Sequence, residues 1–160
     1  MNLGSILLWG FCATVVLTTC MAASQGLGLS RLSMPLILGA ALTRDRRRAN
    51  VYGFALHLLN GWLFALVYAL IFESWRRASW WLGLILGLVQ ALFLLTAVMP
   101  LLPYMHRRMA SEDFGPNPTR QLEPPGFLAL NYGRYTPLAT LVAHLLYGAI
   151  LGAFYTLAPR

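Results

Sequence analysis

Two histidines sit in uncharged, apolar surroundings: His57 opens "HLLNGWLFALVYAL" (57–70) and His144 opens "HLLYGAILGAFYTL" (144–157). An imidazole kept from water can ligate a metal or haem iron through its lone-pair nitrogen, or hydrogen-bond a neighbouring helix. The segments share the frame H-L-L-x-G-x-x-x-[AG]-x-x-Y, aligning His57 with His144, Gly61 with Gly148, Ala65 with Gly152 and Tyr68 with Tyr155. At about 100° per residue these positions fall within roughly 80° of arc, so each set is one stripe on one helix face. Such stripes suit a b-type haem. His57 and His144 would be its axial ligands, Gly61 and Gly148 would leave room for the macrocycle, and Tyr68 and Tyr155 would line its far end. The simpler expectation is a structural hydrogen bond from each histidine to Thr14, Thr18, Asn60 or the other histidine.

Other chemistry has less to stand on. His106 would add a third imidazole for a metal, but zinc and iron sites usually include carboxylate or thiolate. The acids Asp45, Glu73, Glu112, Asp113 and Glu123 all fall in connectors or at helix ends, which also disfavours an ion-coupled transporter. No G-x-G-x-x-G, P-loop, H-E-x-x-H or G-x-S-x-G is present, so no catalytic residue is assigned and a non-enzymatic role is expected. Gln90 and Asn60, the amides within apolar runs, read as interhelical hydrogen-bond formers.

The elements that carry these residues follow from composition. The 160 residues are 58% hydrophobic and 11% charged, too little polar surface to coat a water-soluble globule. Apolar runs over 3–23, 51–72, 80–104 and 138–158 each approach the roughly 20 helical residues that cross a bilayer core. The expected fold is an all-α, four-transmembrane-helix bundle, a single domain over 1–160, built from two related hairpins as a parallel repeat. Cys12 and Cys20, eight positions apart on one predicted helix, are too far apart along its axis for a mutual disulfide. The N-terminal run lacks a basic n-region and reads as an uncleaved span.

The net charge of +7 rests on arginine alone, since the chain has no lysine. Connectors 24–50 and 105–137 hold Arg31, Arg44, Arg46, Arg47, Arg48, Arg107, Arg108, Arg120 and Arg134; the other side holds Arg76, Arg77 and Arg160. This bias puts both long connectors in the cytoplasm and both termini in the periplasm. The run "TRDRRR", with Arg44, Arg46, Arg47 and Arg48, reads as an anchor for anionic lipid headgroups; no nucleic-acid module surrounds it. "SMPLILGAAL" predicts a short interfacial helix with Ser33 as N-cap and Pro35 in its first turn. "ESWRRASWW" predicts a tight hairpin with Trp75, Trp80 and Trp81 at the interface. The long, proline-rich third connector should lie against the bundle or membrane at least through "GFLAL", Tyr132 and Tyr135, with Thr136 and Pro137 starting the last span. Gly61-x-x-x-Ala65, Gly83-x-x-x-Gly87 and Gly148-x-x-x-Gly152 are small-residue faces for close helix packing.

The segments "RRRANVYGFALHLLNGWLFALVYALIFE", "PTRQLEPPGFLALNYG" and "HLLYGAILGAFY" resemble a family of small bacterial four-span inner-membrane proteins from high-GC genomes. That resemblance implies the bacterial inner membrane and carries no activity, cofactor or site. The expected function is therefore a multi-pass accessory or scaffold subunit, self-associating or part of a larger membrane complex. Haem-mediated electron transfer is the alternative and a small oligomeric transporter comes third. The visible spectrum of detergent-purified protein from haem-supplied cells separates the first two. A colourless preparation ends the haem reading, whereas a Soret band lost or shifted in both His57→Ala and His144→Ala would establish it.

Overall fold

The computed structural model describes residues 1–111 and 113–159; Glu112 and Arg160, weighed above, lie outside them. Among the described residues the chain forms α1 (Leu3–Gly26), α2 (Met34–Ala40), α3 (Arg46–Ser74), α4 (Trp80–Phe93), α5 (Met99–Met105) and α6 (Thr136–Phe154). A π turn over Leu94–Val98 joins α4 to α5, and a 3₁₀ stretch over Phe127–Tyr132 precedes α6. The helices α1, α3, α6 and the continuous run Trp80–Met105 are long and apolar enough to cross a membrane, so this is an all-α, four-helix membrane protein.

Local chemistry explains where helices start and stop. Ser33 caps α2, its Oγ accepting the Leu36 N–H at 3.4 Å, with Pro35 in the first turn as expected. The helix α3 begins at Arg46 rather than near 51, because the Asp45 carboxylate accepts the Arg48 N–H at 2.7 Å and caps the arginine run into helix. Arg46, Arg47 and Arg48 thus belong to the first turn of α3, not to the loop before it. In the third span Pro100 has no N–H to donate, and the Met99 N–H instead reaches back to the Leu94 carbonyl, which makes the π turn. The helix α6 ends at Phe154, not near 158. There the Thr156 N–H bonds Ser5 Oγ at 3.0 Å and the Ala158 N–H bonds Glu73 Oε1 at 2.8 Å, so the chain leaves the helix for side-chain partners.

The chain divides into two compact units. Unit 1 comprises Met1–Cys20, Leu58–Ala91 and Thr140–Arg160; unit 2 comprises Met21–His57 and Leu92–Ala139. In unit 1, α4 and α6 pack backbone to backbone. A Cβ on Gly83 would strike the Gly148 carbonyl oxygen, one on Gly87 the His144 carbonyl, and one on Gly152 the Ser79 carbonyl. Likewise Gly61 of α3 faces the Thr14 side chain of α1, and Gly10 of α1 faces Trp62. Trp9 stacks on Phe154 with centroids 4.4 Å apart. At the α3–α4 turn Glu73 accepts from Tyr155 Oη at 2.9 Å and pairs with Arg76 at 2.9 Å. The indole rings of Trp75, Trp80 and Trp81 beside that turn are exposed, as an interfacial girdle requires.

Unit 2 is built on the connectors. The helix α2 lies against the start of α3 so closely that a Cβ on Gly39 would meet the Ala49 carbonyl and one on Gly53 the Pro35 carbonyl. Ser30 and Thr136 share a buried hydrogen bond of 2.8 Å, tying the first connector to the start of α6. In the 3₁₀ stretch Leu128 and Ala129 take left-handed backbone angles of 55° and 57°. Asn131 Nδ2 donates to the Pro124 carbonyl at 2.9 Å, and Tyr132 Oη to the Glu123 carbonyl at 2.7 Å, which close the loop over itself. Ala129 and Tyr132 are buried while Phe127, Leu130 and Tyr135 stay exposed, so "GFLAL" divides between core and surface.

Replacing Gly148 by Leu should destabilise the protein by at least about 1–3 kcal/mol, the range for overpacked cores. Gly115→Ala, at a site with open space around it, should be neutral. Denaturation midpoints in detergent measure both; equal midpoints for Gly148→Leu and the parent would refute the α4–α6 contact.

Candidate functional site

The histidine stripes are buried faces, as their spacing predicts, but helices occupy the space beside their glycines. On α3, Gly61 and Tyr68 are buried and Ala65 is 2% exposed; His144, Gly148 and Gly152 of α6 are buried, as is Tyr155 just past its end. The room that a macrocycle would need at Gly61 is filled by Thr14, and that at Gly148 by the backbone of α4. The same contacts use up, inside unit 1, the small-residue faces expected to serve self-association.

The polar groups of the stripes have their own partners. His144 Nδ1 lies 2.8 Å from the Thr140 carbonyl one turn earlier on α6. A carbonyl only accepts, so Nδ1 carries the proton and this bond stays within the helix rather than crossing to another. Thr14 and Thr18 also bond back along their helix, to the Gly10 and Thr14 carbonyls at 2.7 Å each, and Asn60 is exposed. The Thr14 and Thr18 hydroxyl protons thus stay within α1, while the Thr14 side chain packs across on Gly61 of α3. Gln90 makes the expected cross-helix bond: its Oε1 accepts from Tyr68 Oη at 2.8 Å. Tyr155 Oη reaches Glu73 instead. His57 is half-buried in unit 2.

Tyr147 escaped the sequence frame because it takes the variable position that Asn60 occupies in the other copy. It is 1% exposed, meets Tyr68 edge-on at 5.6 Å and donates its hydroxyl proton to the Gly61 carbonyl. A phenol in place of an amide was the one available signal. His106, considered as a third imidazole, has Nε2 3.0 Å from the Ile37 carbonyl, while Nδ1 accepts the Arg108 N–H at 3.3 Å. Both nitrogens are thereby engaged in holding the chain. Among the described residues no three histidines, cysteines or acids gather as a metal site.

The arginines of unit 2 fall into two groups. Several are structural. Arg107 donates to the Ala41 carbonyl at 3.2 and 2.7 Å, and Arg31 pairs with Glu123 at 3.1 Å. Arg120 and Arg134 lie over the rings of Phe114 and Tyr135 at 4.2 and 4.6 Å. Beside the Arg31–Glu123 pair, burial and the Glu123 carboxylate push the Tyr132 phenol up to about 12, with Arg31 opposing. A second group surrounds a cavity of about 400 Å³ between α2, the first turn of α3 and the third connector. Arg44 and Arg46, expected headgroup contacts, line it; Arg108, not singled out from sequence, lines it from the opposite strand of chain. Arg47 and Arg48 are exposed and do not line the cavity.

Comparison with protein-family models, curated proteins and solved structures finds no match for this chain. The molecule presents a glycine-packed interior in unit 1 and a basic, cavity-bearing surface in unit 2.

If Tyr68 and Gln90 form a working pair, a double-mutant cycle of Tyr68→Phe and Gln90→Leu should give a coupling of about 0.6–1.7 kcal/mol, the range for hydrogen bonds between membrane helices. A coupling of zero by equilibrium unfolding in detergent would reduce the contact to shape packing.

Proposed function

We propose that this chain is a non-enzymatic, multi-pass protein of the bacterial inner membrane, with periplasmic termini, acting as an accessory or scaffold subunit. Its arginine-bearing connectors seat on anionic headgroups of the cytoplasmic leaflet. The observation that carries this reading is the division of charge. Nine arginines belong to unit 2, with both long connectors, whereas the α3–α4 turn of unit 1 has Arg76 and Arg77.

The interior supports a scaffold rather than a conduit or a redox centre. In unit 1 Gly83, Gly87, Gly148 and Gly152 meet backbone, and Tyr68, Gln90, Tyr147 and His144 bond to one another or to carbonyls. Association with copies of itself or with a larger complex would use the outward apolar residues, such as Leu63, Val67 and Leu70 of α3, since the small-residue faces are taken.

A C-terminal green fluorescent protein fusion should be dark and a C-terminal alkaline phosphatase fusion active; a bright, folded fluorescent fusion would reverse the orientation. Native mass spectrometry after extraction should show phosphatidylglycerol retained over phosphatidylcholine, with retention lowered by the double variant Arg47→Gln, Arg48→Gln. Equal retention of both lipids by the parent protein would remove the headgroup role.

A further inference from the structure

The cavity in unit 2 is more specific than a basic surface needs to be. It is bounded by Arg44, Arg46 and Arg108, by the polar side chains Thr43 and Gln121, and on one wall by Leu36 of α2. Among the described residues lining it, none is acidic. Its volume of about 400 Å³ lies within the range of small-molecule sites, roughly 300–1,000 Å³.

Arg108 is the informative member. Its position is held by backbone: the Leu122 N–H donates to the Arg108 carbonyl at 3.0 Å, and the Ala110 N–H to the Leu122 carbonyl at 3.0 Å. On the other side His106 and Arg107 are fastened to the carbonyls of Ile37 and Ala41. These bonds fix where the Arg108 side chain leaves the backbone. Its Nη1 is buried and has no hydrogen-bond partner. A buried, charged N–H without an acceptor is among the costliest arrangements a protein keeps, and almost every such group is matched by a protein or ligand oxygen. Arg107, its neighbour in the chain, has the Ala41 carbonyl as acceptor.

We infer that Arg44, Arg46 and Arg108 form a binding pocket for a terminal phosphate group, with the buried Nη1 of Arg108 among its donors. Guanidinium forks match phosphate oxygens in geometry and charge, and three of them favour a dianionic monoester over a singly charged diester. The apolar wall at Leu36 would lie along whatever carbon portion carries the phosphate. This pocket deepens the proposed seating on anionic headgroups and rests on that reading for its lipid source. The shared chemistry is the phosphate monoester, supplied either by a phosphatidate-type headgroup or by a soluble phosphate.

The test uses the full chain in neutral detergent and in phosphatidylcholine vesicles doped with phosphatidate or, at equal negative charge, phosphatidylglycerol. Inorganic phosphate is titrated calorimetrically against a chloride control, and retained lipid is read by native mass spectrometry. Saturable phosphate binding, or at least tenfold preferential retention of phosphatidate over phosphatidylglycerol, is expected. The first result alone assigns a soluble source, the second a lipid source. Arg108→Gln and, at an exposed position, Arg44→Gln should each weaken that signal at least tenfold, while Arg77→Gln, exposed in the α3–α4 turn, should leave it unchanged. Arg108→Lys, which keeps the charge but not the fork, should fall between. The pocket is overturned if neither probe binds preferentially, or if Arg44→Gln and Arg108→Gln behave like Arg77→Gln. General retention of phosphatidylglycerol, still reduced by the Arg47, Arg48 double variant, would then leave the proposed function standing. Saturable phosphate binding without any anionic-lipid preference would do the reverse.

Discussion

Where α4 meets α6, glycines take away the side chains that would hold two helices apart, and the carbonyl of Gly148 occupies the place a Cβ of residue 83 would need. In hydrocarbon there is no hydrophobic gain from bringing apolar helices together, because lipid tails are as apolar as leucine. Association depends on close van der Waals contact and on hydrogen bonds. The glycine contact supplies the first over the interleaved positions Gly83, Gly87, Gly148 and Gly152. It also fixes the rotation of α6, and that rotation brings Tyr147 to the Gly61 carbonyl and Tyr155 to Glu73.

The polar residues of unit 1 follow from the same environment. A phenol, an amide or an imidazole in a dry interior must find a partner, since no water is at hand to replace one. Tyr68 finds Gln90, Tyr147 finds Gly61, and His144 turns to the carbonyl of Thr140 on its own helix. What reads in one dimension as a ligand stripe is in three dimensions a packing face whose glycines meet neighbouring helices. This is the physical basis for treating the interior as scaffold.

Unit 2 solves a different problem, that of ordering long connectors rich in proline and arginine. Side chains do the work that regular helix bonds cannot. Ser33 and Asp45 cap α2 and α3, Arg107 and His106 donate to carbonyls of the first connector, and Asn131 and Tyr132 close the loop before α6. Arginines spent in this way cannot serve a ligand. Arg44, Arg46 and Arg108 face a common cavity instead, and one nitrogen of Arg108 has no protein acceptor.

The sequence by itself determined the number of spans, the α-helical class, the cap at Ser33 and the faces that would be buried. Each of these depends on local composition or on a period of about 3.6 residues, and both are written along the chain. The burial of Gly61, Ala65 and Tyr68 on one side of α3 was legible for that reason. Only the tertiary structure decided what those faces meet. Whether a glycine opens a space or admits a backbone depends on the neighbour, so Gly148 reads equally well as room for a cofactor and as a contact with α4. Span ends were misplaced where a distant group set them: Ser5 and Glu73 draw the chain out of α6 from positions far away in sequence. The arginine cavity was invisible for the same reason. Arg44 and Arg46 belong to one connector and Arg108 to another, and no local pattern records that these residues line a single cavity.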